Sequence, residues 1–563
     1  MFLNLVKKVT FLIIALTFFQ VSLVNANVSL KNGNFFIGYT DILYPGGFEP
    51  KIERVYNSKT PYKGIFGWGW GNQYEVYLKV EADGSVVVHE YGGGAENRFS
   101  PVKFDQKKLD KAINNIAKAA MKAGAVGTKG QMSGYKKRLK TDANFRYDEW
   151  NKYLKLGRVK PIQLKEGTQL HSNRFSYQYI TKVKNGYIRK YDNGKVERFS
   201  ANGRLTQVQD KNSNFIKLSY SKDGHIKKIS DNFNRKMIFE FNNKGLVKAI
   251  LGENGKRSSY KYNASDELIS TKDTDGNTYK HKYDPKGRHN MVGITYDDKT
   301  TLEMGFYPVG DLHENVKFVK NRDGSKTEYS YKYDKSQKGH FTVFTKLKNK
   351  DNKLISKSSY EYFMKYKPTG EKWTYKMATD VDGDRTETVY NECCGLPLMI
   401  RRAGQETAFQ YDKKGHVVKK TTPTEITKLS YDQKAGKVSK VSRYSKLKKK
   451  QVHWSEFKYD NKGNLIFAKN SDKKGVKLIY DKFGRIQTMV DQNRRRIDFE
   501  YNENSKPILI KDPKLGTIKV SYTNSGEIKK VESSAGRKIA LQVTSAFQNL
   551  LDIIRPAGVS LSF

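Results

Sequence analysis

The sequence has 563 residues, with 104 Lys and Arg against 58 Asp and Glu, a net charge of +46, and two cysteines. Two thiols cannot make a four-ligand zinc site without nearby histidines, and the nine histidines are scattered without metal spacing. No stretch after Ala26 approaches the ~20 apolar residues that a membrane helix needs.

Met1 to Ala26 has the order of a secretory signal: Lys7 and Lys8, an apolar core from Phe11 to Phe19, then Val24-Asn25-Ala26 as a small-residue cleavage site. A retained signal anchor is the alternative. Cleavage after Ala26 leaves 102 basic residues against 58 acidic ones, a net charge of +44 on an exported chain, extracellular, surface-bound or periplasmic. Such charge attracts polyanions by counterion release, and anionic glycan or another envelope polymer is the expected ligand class. Lysine also protects exposed strands from edge pairing, and here the lysines are spread along the chain, so nucleic acid is the least expected of these partners.

Residues 27–100 are rich in Gly and aromatic residues, as in Phe66-Gly67-Trp68-Gly69-Trp70, and read as a β domain. Trp68 and Trp70 suit either a sugar-stacking platform or core packing, and packing is the stronger reading. From 101 to 164 the β pattern stops. Phe104, Leu109, Ile113, Ile116, Ala117, Ala120 and Met121 predict an amphipathic helix ended by Gly124; Gly124–Gly134 reads as a hinge, and Tyr135–Leu154 as a second helical segment. A basic helical pair of this kind either packs on its own domain or lies on a partner or an anionic membrane.

From residue 165 an array begins. Tyrosines or phenylalanines stand at 191, 220, 241, 262, 283, 307, 333, 362, 390, 411 and 431, and then Tyr459, Tyr480, Tyr501 and Tyr522 recur every 21 residues. Between them lie apolar runs of period two, such as Ile497, Phe499, Tyr501, which predict strands with one buried face. Tyr480-Asp481-Lys482-Phe483-Gly484 predicts a turn opened by the Asp side chain and closed by a positive φ at Gly. Longer intervals between 283 and 390 and from 431 to 459 are read as loop insertions, with Asp311–Arg322 and Lys446–Val452 as contact segments.

This Tyr-Asp-x-x-Gly-apolar repeat resembles the YD repeats of RHS-type proteins over about three quarters of the chain, and residues 27–100 resemble the domain that precedes those repeats. The resemblance implies a mainly β fold: a β-solenoid forming a curved or partly closed shell, with the N-terminal β domain plugging one end and a small helical insertion. It also implies two roles, a non-enzymatic binding scaffold at the cell surface or envelope, or a shell belonging to a toxin-delivery system with separately encoded cargo. No RHS core motif with its cleaving aspartates, and no cargo, can be placed.

No cofactor and no catalytic or metal residue is assigned, and no ligand-binding residue is singled out. Tyr220, Tyr262, Tyr283, Tyr390, Tyr411, Tyr431, Tyr459, Tyr480, Tyr501 and Tyr522 are read as structural stacking residues. Cys393 and Cys394 are read as structural, either as thiols or as a disulfide. Asp380, Asp382 and Asp384 read as a β-turn, because the Gly is misplaced for a calcium loop and no Glu stands at the twelfth position. Val543–Phe563 completes one more unit, and its edge is read as a docking site for a protein partner on an incompletely closed sheet.

Overall fold

The structure is a computed structural model describing residues 27–536, apart from 45–47, 103–104, 173–177, 309–311, 393–394, 523–527 and isolated single positions. The expected signal, the cysteine pair and the edge Val559–Phe563 lie outside the described residues.

From Gln169 to Ser533 the chain is one antiparallel meander in which every strand pairs with the next. A typical strand is Gly475–Tyr480, with Val476 and Leu478 buried and Lys477 and Ile479 exposed. The alternation follows from the pleat, which sends successive side chains to opposite faces.

The repeated tyrosine has a role that its spacing does not reveal. Tyr480 ends its strand and its hydroxyl donates to the carbonyl of Leu465, the first residue of the preceding strand, at 2.8 Å. Tyr220, Tyr262, Tyr283, Tyr411, Tyr431, Tyr459, Tyr501 and Tyr522 do the same to Leu205, Val247, Leu268, Pro397, Val417, Val438, Ile486 and Pro507. Tyr390 also ends its strand, half-buried, and faces a bulge. Position 333 breaks the pattern: Tyr331 makes the bond, to Val316, and Tyr333 is exposed. On the other side each tyrosine faces a bulge. Tyr480 pairs with Ile486 and Ile479 with Thr488, leaving Gln487 as an extra residue in the following strand. A bulge raises local twist, so one per repeat at one rim bends the sheet steadily.

The turns follow the expected chemistry at both rims. Asp481 Oδ1 accepts from the backbone N–H groups of Phe483 and Arg485, with Gly484 at φ 78°. At the opposite rim Asp491 accepts from Asn493 and Arg495, and Arg494 takes the left-handed position at φ 59°.

The bending brings the sheet back on itself twice. Strands Tyr77–Val80, Val86–Glu90 and Ala95–Ser100 run into Gln169–Ser172 in the same sheet, and Leu78 N–H donates to Gly203 O (2.9 Å) and Leu205 N–H to Val76 O (3.2 Å). These bonds close the sheet around a core containing Leu78, Val88, Phe99, Ile180 and Phe199. The meander then makes a wider circuit. After 252 residues Lys211 Nζ meets Gly463 O (2.9 Å), beside Asn464 Nδ2 on Asn212 Oδ1 (2.9 Å), Asn214 Nδ2 on Phe483 O (2.9 Å), and the Phe233 and Phe483 rings 5.0 Å apart. One rim of the first turn carries the tyrosine rim of the second.

Strands Asn27–Ser29, Asn34–Leu43, Lys51–Asn57 and Trp70–Asn72 form a separate sheet. It reaches one rim through Ile65 O to Val247 N–H (2.8 Å) and Gly33 O to Val316 N–H (2.9 Å), and the other through Tyr44 hydroxyl to Lys236 O (3.0 Å) and Asp41 O to Thr274 N–H (3.1 Å). A unit this small touches so many strands, rim to rim, only if the large sheet curls around it. The face it covers is therefore the inner one.

Three helices follow: α1 (Gln106–Lys122), α2 (Lys129–Thr141) and α3 (Ala143–Lys155). The stretch Gly124–Gly134 is not a hinge throughout, because Thr128 and Gln131 form a capping box that starts α2 inside it. The helices pack on each other through Leu109, Ile116, Leu139, Trp150 and Tyr153, and Arg146 donates to Thr369 O (2.8 Å).

The long intervals are also corrected in part. Between 283 and 326 the extra residues lie in connections, 284–290 and 307–315, as expected, but from 326 to 390 they lengthen strands, to 13 residues in Leu354–Tyr366 and 10 in Lys372–Val381, because the period-two alternation runs on through them. These tall strands carry the hairpin at Thr369–Gly370 to the helices.

Gly463 and Gly484 separate turn strain from seam contact. Both have positive φ, but an added Cβ meets only ordinary contacts at Gly463, with Ala435 and Lys437 side chains 3.9 Å away, and the Asn212 side chain, 2.0 Å away, at Gly484. Gly463→Ala is expected to cost about 1–2 kcal/mol from backbone strain alone, and Gly484→Ala more, by urea denaturation. Equal losses would show that the seam is not formed.

Candidate functional site: the enclosed face of the shell

Cross-strand partners share a face, so the inner face can be followed around the wall from the region covered by the N-terminal sheet. Val319 pairs with Thr327, Tyr329 with Thr345, Val343 with Tyr360, Tyr360 with Thr379, Ile400 with Thr407 and Leu429 with Val441. These side chains are hydroxylic, aromatic or aliphatic. The opposite face of the same strands carries Lys346, Glu361, Lys376, Glu387, Arg401 and Lys428. Inside the wall the charges are Lys420 and groups near the rims such as Arg443, which is held by Glu425 at 2.7 Å. Between Leu347 and Leu429 this inner face is largely half-buried, whereas the stretches on either side are packed.

Within the N-terminal sheet lies a buried charge pair, Arg54 with Asp41, and each partner also bonds a residue of that face, Thr271 and Tyr260. Arg54, fully buried, donates to Asp41 through Nε (2.8 Å) and Nη2 (3.0 Å), and also to Thr271 Oγ1 (3.2 Å). Tyr260 hydroxyl donates to Asp41 (3.0 Å), and the guanidinium lies 4.2 Å from the Trp70 ring. Trp70 Nε1 donates to Tyr283 hydroxyl (2.9 Å), which continues to Leu268 O. Burial works against the Arg54 charge, yet Asp41 raises its pKa above the ordinary value. Trp70 is thus a core residue. Trp68 is half-buried and stacks on His289 at 4.5 Å.

A cleft of about 370 Å³ opens on the tyrosine rim, lined by Tyr62, Tyr77, Arg204, Tyr220 and Lys244. Its carboxylate, Glu75, is buried and accepts from Tyr62 hydroxyl, Ile65 N–H and the Asn72 N–H and Nδ2 groups; burial pushes its pKa up to about 7. With those donors already on it, Glu75 is not placed to work as a general base on a ligand.

The repeat tyrosines are spread along one rim and converge on no site. Asp380 Oδ1 accepts from Gly383 N–H, Asp382 from Lys357 N–H, and Asp384 pairs with Arg402, which makes the three a turn held by its neighbours. Among the described residues no three His, Cys, Asp or Glu side chains are grouped to hold a metal, and no helix is long and apolar enough to cross a membrane. The sparsely charged wall was missed in the sequence, although the signal was present: the alternating set of positions from 327 to 441 that faces inward carries few charges, Lys420 at mid-strand and Asp384, Arg402 and Glu425 near the rims.

A family model described as a domain of unknown function, DUF6531, matches residues 25–99. No curated protein matches. Among solved structures the chain is similar to TcdB2-TccC3-TEV (10% identity, TM-score 0.43, 94% of this chain and 29% of that one). It is also similar to TcdB2-TccC3 without its hypervariable C-terminal region (11%, 0.37, 94% and 28%) and to the Photorhabdus luminescens Tc holotoxin pore (10%, 0.23, 89% and 32%). The chain spans less than a third of the length of these solved chains.

Arg54→Met tests how the inner sheet is held. It leaves Asp41 buried without its cation and is expected to cost about 3–5 kcal/mol, read by thermal or urea unfolding. A cost under about 1 kcal/mol would show that the pair does not anchor the sheet.

Proposed function

We propose that this protein is a non-enzymatic shell that encloses a separately encoded polypeptide, as a component of a toxin-delivery system. The observation that carries the reading is the sparsely charged inner wall on a sheet that returns to itself around its own N-terminal sheet. A wall of Thr, Tyr and aliphatic side chains offers dispersed apolar contact and hydroxyl hydrogen bonds without a preferred charge, which suits a polypeptide of any sequence. A binding scaffold for one anionic glycan would instead gather its cations where the ligand lies. Lysines such as Lys346, Lys376 and Lys428 sit instead on the outer face, where lysine guards exposed strands against pairing with other chains. The resemblance of the repeats to RHS proteins supports the same reading. The exported location stands with it as part of the proposal.

Two experiments test it. In a Cys393→Ser, Cys394→Ser background, Thr379→Cys on the inner face should react with N-ethylmaleimide but not with a bulky polyethylene-glycol maleimide, while Lys376→Cys on the outer face should react with both. Equal reaction of the two positions with the bulky reagent would exclude an enclosed wall. For cargo, the shell would be co-expressed with the reading frames that flank its gene. A bound product protected from protease is expected, and failure of every product to be retained would end the delivery reading.

A further inference from the structure

The helical module stands apart from the rest of the molecule in its charge. From Asp105 to Lys160, 56 residues carry 15 Lys and Arg against 5 Asp and Glu, so a tenth of the chain holds ten of its 46 net positive charges. Of those 15, all but Arg146 are exposed. Four of the five acids are engaged within the module: Asp105 caps α1, Asp110 accepts from Gln106, Asp142 caps α3, and Glu149 accepts from Tyr135.

The lysines are also arranged. At about 100° per residue, Lys107, Lys108, Lys111, Lys118 and Lys122 fall within about 100° of one another around α1, opposite buried Leu109, Ile113, Ile116 and Ala120. Lys129, Lys136, Lys137 and Lys140 form a similar stripe on α2, which buries only Leu139. Met121, beside the α1 stripe, is 56% exposed, and Leu156 at the end of α3 is 58% exposed.

We propose that this module docks the shell on an anionic membrane surface, with the α1 and α2 lysines among headgroup phosphates and Met121 and Leu156 reaching the acyl boundary. The charge is complementary to anionic lipid, and each lysine near such a surface adds to binding. Exposed apolar side chains in the same module, Met121 beside the α1 stripe and Leu156 at the end of α3, decide between polyanions. A soluble glycan or nucleic acid offers them nothing, whereas the headgroup boundary buries them. The half-buried aromatic rings of the module are held inside it, Tyr135 and Phe145 edge to face at 5.6 Å with Arg138 over Phe145, which leaves no stacking platform for bases. The proposal goes beyond the shell reading and does not depend on any cargo.

The test uses the full chain after Ala26 in vesicle sedimentation. It should bind phosphatidylcholine vesicles that contain phosphatidylglycerol, not phosphatidylcholine alone, and should be released by salt. The variant Lys107→Gln, Lys111→Gln, Lys118→Gln, Lys122→Gln should lose about tenfold or more in partitioning. The control Lys227→Gln, Lys248→Gln, Lys261→Gln, Lys428→Gln, which removes equal charge from exposed positions of the array, should lose far less. Unchanged thermal unfolding of both variants shows that the fold is kept. Met121→Ser should weaken vesicle binding and leave retention on heparin unchanged. Equal losses for the two lysine sets would reduce the effect to net charge and overturn the proposal. Retention on heparin without vesicle binding would overturn it in favour of a soluble polyanion.

Discussion

The architecture depends on what each repeat does at a single rim. A tyrosine hydroxyl ties the end of one strand to the start of the strand before it, while the strand after it carries an extra residue. The tie survives changes of spacing: Tyr480 reaches 15 residues back and Tyr459 reaches 21, and both find the first residue of the preceding strand. A net hydrogen bond of this kind is worth about 1 kcal/mol, so no single tyrosine decides the fold. Their repetition, with a bulge beside each, gives one rim a geometry that the other lacks, and a sheet with unequal rims has to spiral.

A spiral of this kind meets itself, and the residues at the meeting line are suited to it. The hairpin tip Asp210–Asn214 presents backbone-like amides to the tyrosine-rim turns at Gly463–Asn464 and Phe483–Gly484, so polar turn tips are satisfied by other turn tips. The inner sheet fills part of the space this makes, and the Arg54–Asp41 pair gives it one register. Beyond it the inner wall carries few charges, while its outer face stays heavily charged. The helical module adds a separate surface, joined to the tall strands by Arg146 and to the first strands by a His89–Tyr147 contact of 2.6 Å.

Much of the array was legible because its signals are local. The alternation of Ile497, Phe499 and Tyr501, the side-chain turn at Asp481 and the helix over 106–122 depend on neighbours a few residues away. What was not legible depends on partners far along the chain. The tyrosine tie needs the adjacent strand, the seam needs a residue 252 positions on, and the division read at residue 100 is crossed by a sheet in which Ala95–Ser100 pairs with Gln169–Ser172. The long intervals misled for another reason. A strand extended by four residues and a loop of four residues have the same length, and only their alternation tells them apart. The sparsely charged inner wall needed the faces to be assigned first.

The central claim is that the sheet winds back onto its own first turn and so encloses a space. The direct measurement is a cross-link across the seam: Asn212→Cys with Asn464→Cys, in a chain whose Cys393 and Cys394 are replaced by serine, oxidised at low protein concentration. The account predicts an intrachain disulfide in a monomer, seen as faster migration on a non-reducing gel that reductant reverses. No cross-link, or cross-links only between molecules, would show that the two turns do not meet and that the sheet is open.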